Sequence, residues 1–117
     1  MPTIKTLTRD ILRFRDVRDW ARFHNPKDVA ISMALEAAEL LEHFQWKNPE
    51  EVAQHVKTHK EAVADELADV LYWVLLLSHD LKIDPAAALA SKLKKNARKY
   101  PVRKAKGRHT KYTELWK

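Results

Sequence analysis

Along most of this chain apolar residues return every three or four positions, the period at which side chains share one face of an α-helix. Leu7, Ile11, Phe14, Val17 and Ala21 do so through about Arg22, which predicts an amphipathic first helix capped by Thr8. Phe23-His24-Asn25-Pro26-Lys27-Asp28 breaks the pattern, and Asp28 then reads as the cap of a second helix, Val29 to about Trp46. Ala30, Met33, Ala34, Ala37, Leu40, Leu41 and Phe44 cover a wide arc of that helix, so several neighbours should bury it, another subunit among them.

Asn48-Pro49, a cap followed by proline at the first helical position, opens a stretch through His55 or beyond. Lys57-Thr58-His59-Lys60 is polar and reads either as a kink or as the place where a short helix hands over to a longer one. The helical period resumes from Ala62 to Leu81. Asp84-Pro85 repeats the cap-and-proline signature before a last helix, Ala86 to about Tyr100, which Pro101 stops. From Val102 to Lys117 no period is clear, and a basic tail ordered against a partner or ligand is expected there. Nothing alternates like a strand. The expected fold is all-α: one domain over residues 1–117, four main helices and a short fifth in a four-helix-bundle-like subunit.

Composition narrows the chemistry. A single glycine excludes Gly-rich phosphate loops, and the absence of cysteine excludes disulfides, thiolate zinc and a cysteine nucleophile. The polar N-terminus and the short apolar run Val70–Leu77 predict a cytoplasmic protein without a membrane segment. At 117 residues the core is small enough that self-association would help stability. The net charge of +6 is unevenly spread: eleven Lys or Arg follow from Lys92 onward against one acid, Glu114, whereas nine of sixteen acids lie between Glu36 and Asp69. Such a division suits a metal and a polyphosphate.

Within the acidic stretch, Glu36-Ala37-Ala38-Glu39 and Glu66-Leu67-Ala68-Asp69 each place two acids three residues apart among apolar neighbours. On a helix that spacing puts both on one face, and two such helices side by side would bring four carboxylates together. Like charges beside apolar residues repel and resist desolvation, so they require protons, basic partners or cations. Magnesium, a hard ion that takes carboxylate and phosphate oxygens, is the natural candidate. A di-iron bundle would need Glu-x-x-His motifs, and none occurs. His55 and His59 have the i, i+4 spacing of a zinc pair but read as exposed. Trp20, Trp46 and Trp73 lie near the acidic helices, where aromatic rings could stack a base, and Lys92, Asn96 and Lys99 share a polar face that could meet phosphate or sugar.

Taken together, Asp19-Trp20, Phe23-His24-Asn25-Pro26-Lys27, the ExxE stretch running into Phe44-Gln45-Trp46, the ExxD stretch, Lys92 with Asn96, Lys99-Tyr100-Pro101 and Lys111-Tyr112-Thr113-Glu114-Leu115 resemble the MazG-like nucleoside triphosphate pyrophosphohydrolases. The likeness is to their short single-domain branch, which includes dCTP pyrophosphatase. The resemblance implies an all-α subunit that assembles into dimers or tetramers and cleaves a nucleoside triphosphate to monophosphate and pyrophosphate with magnesium, manganese being a substitute. Glu36, Glu39, Glu66 and Asp69 match its metal ligands. Trp20, Trp46 and Trp73 match aromatics of the base pocket; Lys92 and Asn96 match nucleotide contacts; His24 and Tyr100 fall within the matching substrate-binding stretches. Ile11 stands where cytosine-preferring members carry histidine, Asp28 where asparagine is usual, and Trp73 where tyrosine is common.

The mechanism expected from these residues has magnesium bridging the phosphates, Glu39 as general base with Glu36 next, and Lys92, Lys99, Arg108 and Lys111 offsetting charge on the leaving pyrophosphate. Nucleotide-pool cleansing is the role the family suggests. A helical scaffold or nucleic-acid-binding module using the basic C-terminal segment is the alternative, though the acidic cluster has no use in one.

Overall fold

A computed structural model describes all residues, 1–117, and contains no strand. Its helices are α1 (Ile4–Asp16), α2 (Pro26–Glu42), α3 (Pro49–Thr58), α4 (Lys60–Asp80), α5 (Pro85–Lys99) and two single turns, α6 (Val102–Ala105) and α7 (Tyr112–Leu115), with a 3₁₀ turn at Ala21–Phe23. The all-α expectation holds. No helix is long and apolar enough to cross a membrane.

Two compact units divide the chain, Met1–Ile83 and Asp84–Lys117. In the first, α4 packs most extensively on α2 and also meets α1 and α3. Val29, Leu75 and Leu76 are its fully buried apolar side chains. Arg15 is buried with them, and its guanidinium donates to both oxygens of Asp80 at 2.8 and 3.1 Å, fastening α1 to the end of α4.

Several helix boundaries differ from those expected, each for a local reason. The first helix begins at Ile4 because Thr3 and Thr6 form a reciprocal capping box; Thr8, expected as the cap, instead donates its hydroxyl to the Ile4 carbonyl at 2.7 Å within the helix. It ends at Asp16, not Arg22. The Trp20 amide donates to the Arg15 carbonyl and the Asp19 amide to that of Asp16, a Schellman closure with Asp19 in the left-handed region at φ 53°. The same pair of bonds, Ile83 to Ser78 and Lys82 to His79, closes α4 with Lys82 at φ 57°.

Asp28 does not cap the second helix. Asn25 does, accepting from the Asp28 amide at 2.9 Å; Pro26, read as a breaker, occupies the first helical position, and Asp28 lies in the first turn, where a negative charge suits the helix dipole. At the other end α2 stops at Glu42, and Trp46 follows in a left-handed turn at φ 67°. Asn48 and Glu51 form the cap of α3, and Asp84 caps α5, both as expected. His59 separates α3 from α4, so the polar stretch is a hand-over between helices rather than a kink in one.

In the second unit the tail is not structureless. Trp116 donates its indole N–H to the Lys99 carbonyl at 2.9 Å, Tyr100 and Tyr112 meet edge to face at 5.9 Å, and Leu115 is buried. These contacts fold α6 and α7 back on the end of α5, an order that helical periodicity cannot show in four-residue turns.

Candidate functional site

Because α2 lies along α4, the two acidic pairs face each other. One oxygen from each of Glu36, Glu39, Glu66 and Asp69 lies within 4.8 Å of the others. Glu36 and Glu66 are half-buried, and each has a buried Oε2 without a hydrogen-bond partner. Desolvation by burial lifts both above the ordinary carboxylate range; the adjoining Glu39 carboxylate raises them further by hydrogen bonding and by charge, and Asp69 adds its own charge. His43 acts on Glu66 in the opposite sense. Converging oxygens, two of them unsatisfied, and a surplus of negative charge fit a hard divalent cation.

Glu36 and Asp69 also form part of the wall of a cavity of about 500 Å³. Phe14, Trp20, Tyr72 and Trp73 supply its aromatic lining, Leu7 and Ile11 its aliphatic lining, and Asp10 a third carboxylate. Its rings brace one another edge to face: Phe14 on Trp20 at 5.8 Å, Phe14 on Tyr72 at 6.3 Å, and Tyr72 on Trp73 at 5.0 Å. A largely apolar, aromatic-lined space thus opens beside the acidic cluster.

Of the residues singled out in the sequence, the structure brings Trp20 and Trp73 into this cavity. His24 stands against Trp73, ring centroids 5.5 Å apart, rather than in the lining. Its Nδ1 is buried and unpaired, and desolvation, followed by the Arg15 charge, holds its pKa below the usual histidine range, so it braces the indole as a neutral ring. Trp46 is 92% exposed and is in the lining of neither this cavity nor the smaller one described below.

Lys92, Asn96, Lys99, Tyr100, Arg108 and Lys111 belong to the second unit. Asn96 is half-buried on α5, and the Lys99 ammonium lies over the Tyr112 ring at 4.7 Å. The sequence places Phe14 only on the apolar face of the first helix and does not single out Tyr72, since a lining position and a core position share the same helical period. Nor does it single out Asp10 or the Arg15–Asp80 pair, which no local spacing marks.

A second cavity, about 470 Å³, is lined by Glu39, Glu42, His43, His55 and Glu66. His43 Nδ1 and His55 Nε2 are 2.8 Å apart, and the His59 ring stacks on His55 at 4.1 Å. His55, expected to be exposed, is half-buried. Desolvation, then the charges of His59, Lys47 and His43, lowers its pKa.

Residues 31–115 match the model of the MazG-like family. The curated relatives share one activity by name: dCTP pyrophosphatase 1 of Homo sapiens is 35% identical over 116 residues, covering 97% of this chain and 68% of that protein. The Bos taurus protein of the same name is 34% identical, with 97% and 69% covered. Among solved structures, a pyrophosphatase from Archaeoglobus fulgidus superposes with a TM-score of 0.82 at 39% identity, covering 86% of this chain and 94% of that one.

Proposed function

The chain belongs to the MazG-like family and is a nucleoside triphosphate pyrophosphohydrolase; from that premise we propose that it cleaves a deoxynucleoside triphosphate, dCTP or a modified dCTP first among them, in a magnesium-dependent reaction. The observation that carries this reading is the meeting of four carboxylates beside an aromatic cavity that Glu36 and Asp69 also line. The mammalian relatives, by name, act on dCTP. Ile11 in the cavity wall offers no hydrogen bond to a base, so a preference other than cytosine is open to test.

Glu36, Glu39, Glu66 and Asp69 would hold magnesium, or manganese in its place. Bound there, the cation supplies neutralisation of the polyphosphate charge and makes a nearby water more acidic. Trp20 and Trp73, braced by Phe14 and Tyr72, would offer the base an aromatic wall and set the triphosphate toward the acids. Water attacks the α-phosphorus; its proton passes to Glu39, the new P–O bond forms, and the bond to the β-phosphate oxygen breaks with its electron pair leaving on pyrophosphate. Glu39 is the choice because it is exposed and adjoins both Glu36 and Glu66; Glu36 is next. Lys92, Asn96, Lys99, Tyr100 and Lys111 are assigned to phosphate and sugar from their match to the family pattern, and Arg108 is assigned to the leaving pyrophosphate as a basic residue of the tail.

The test is pyrophosphate release from a panel of deoxy- and ribonucleoside triphosphates, with magnesium and with chelator. Glu39→Gln should lose about 10²–10⁴-fold in turnover with helical circular dichroism unchanged. An active Glu39→Gln chain would remove that residue from the base role, and release that persists in chelator would overturn the cation requirement.

A homo-oligomer is proposed as the working form. Ile31 and Leu35 on α2, with Leu67 and Leu71 on α4, are each between 44% and 62% exposed. Apolar pairs at helical spacing, left in water on the same helices that carry the acids, suit the face of another copy.

A further inference from the structure

We propose that His43 and His55, together with Glu42, form a second cation site that takes a late first-row divalent ion such as Zn²⁺, distinct from the four-carboxylate cluster. All three residues line the smaller cavity, from two elements: Glu42 and His43 at the end of α2, His55 on α3. The pairing is one that sequence spacing does not suggest. His55 and His59, four apart, stack face to face at 4.1 Å and 8°, whereas the nitrogens that confront each other belong to His43 and His55.

Geometry favours an ion between them. Two nitrogens on a tetrahedral zinc at about 2.0–2.1 Å lie roughly 3.3 Å apart, so the 2.8 Å pair needs to open by only about half an ångström. The stacked His59 ring and the Phe44 ring, 6.4 Å away and edge-on, fix the His55 plane. Glu42, exposed on the wall of the same cavity, would turn a carboxylate oxygen toward the ion, and water would complete the set. Ligand chemistry then separates the two sites. Four carboxylates suit a hard ion, while two imidazoles and one carboxylate favour zinc, nickel or copper over magnesium, in the Irving–Williams sense. Glu39 and Glu66 line the smaller cavity as well as belonging to the acidic cluster, so an ion at the histidines would be its immediate neighbour.

The site is independent of the pyrophosphohydrolase reading and is tested without nucleotide. Cobalt(II) is the probe, since nitrogen ligation in a four-coordinate site gives visible absorption, and zinc is the competitor. In the full-length chain carrying Glu36→Gln and Asp69→Asn, one equivalent of cobalt should still give the band, and zinc should abolish it. His43→Gln and His55→Gln, in the wild-type background, should each lose the band with helical circular dichroism unchanged. Ring-nitrogen NMR of the wild-type chain needs no variant to fold: one equivalent of zinc should shift His43 and His55 while His24, His79 and His109 stay in place. A band that survives in the His43→Gln/His55→Gln chain overturns the proposal. So do ring signals of His43 and His55 that stay unmoved at saturating zinc.

Discussion

Arg15 is 8% exposed, and both of its terminal nitrogens are spent on Asp80, whose side chain is 25% exposed. The bidentate bond raises the guanidinium pKa, and its main effect is to hold α1, with Phe14 beside it, against α4. Arg15→Met should cost about 2 kcal/mol in a denaturant melt, less than a fully buried broken pair because Asp80 keeps some solvent. Adding Asp80→Leu should recover much of the loss, since the penalty comes from the carboxylate left alone. This pair also shows where sequence reading stops. Glu36 with Glu39, and Glu66 with Asp69, are legible because three residues on a helix fix their common face. Arg15 and Asp80 stand 65 positions apart, and only the packing of α1 on α4 introduces them. His43 and His55 meet across a helix end and a loop, so a search for i, i+4 spacing selects His59 instead.

Among the helices, the caps written as Asn48-Pro49 and Asp84-Pro85 were readable in one dimension, because an Asn or Asp before Pro satisfies the first turn by itself. Asn25-Pro26 has the same chemistry, but Asp28 three residues on offered a rival cap, and the turn before α2 masked the choice. The acidic pairs on α2 and α4 make the stability of that helix pair depend on pH. Folded-state pKa values of Glu36 and Glu66 are raised by desolvation and by Glu39. The folded state therefore binds protons more tightly than the unfolded one. That contribution is fully present below the ordinary carboxylate value of 4.5 and is lost as pH climbs through the raised values. In chelator, the thermal midpoint of the wild-type chain relative to Glu36→Gln/Glu66→Gln should fall as pH increases above that range. Magnesium should raise the wild-type midpoint more at neutral pH than in mild acid, because protons and cation compete for the same oxygens. A magnesium effect equal at both would contradict this account.

At the scale of the molecule, four buried apolar side chains, Val29, Leu75, Leu76 and Leu115, are few for 117 residues. The wide apolar arc of α2 announced more burial than one copy provides: Leu41 of that arc stays exposed, and Ile31, Leu35, Leu67 and Leu71 are left on the surface beside it. Leu35→Glu or Leu67→Glu should move the chain to a smaller species in light scattering after size exclusion; an unchanged mass for both would place the interface elsewhere. If this chain self-associates through that face, as proposed, it has no fixed stability of its own. Its unfolding midpoint is a function of concentration, so simple dilution acts on it as a denaturant, and the amount a cell makes decides how much of what it makes stays folded.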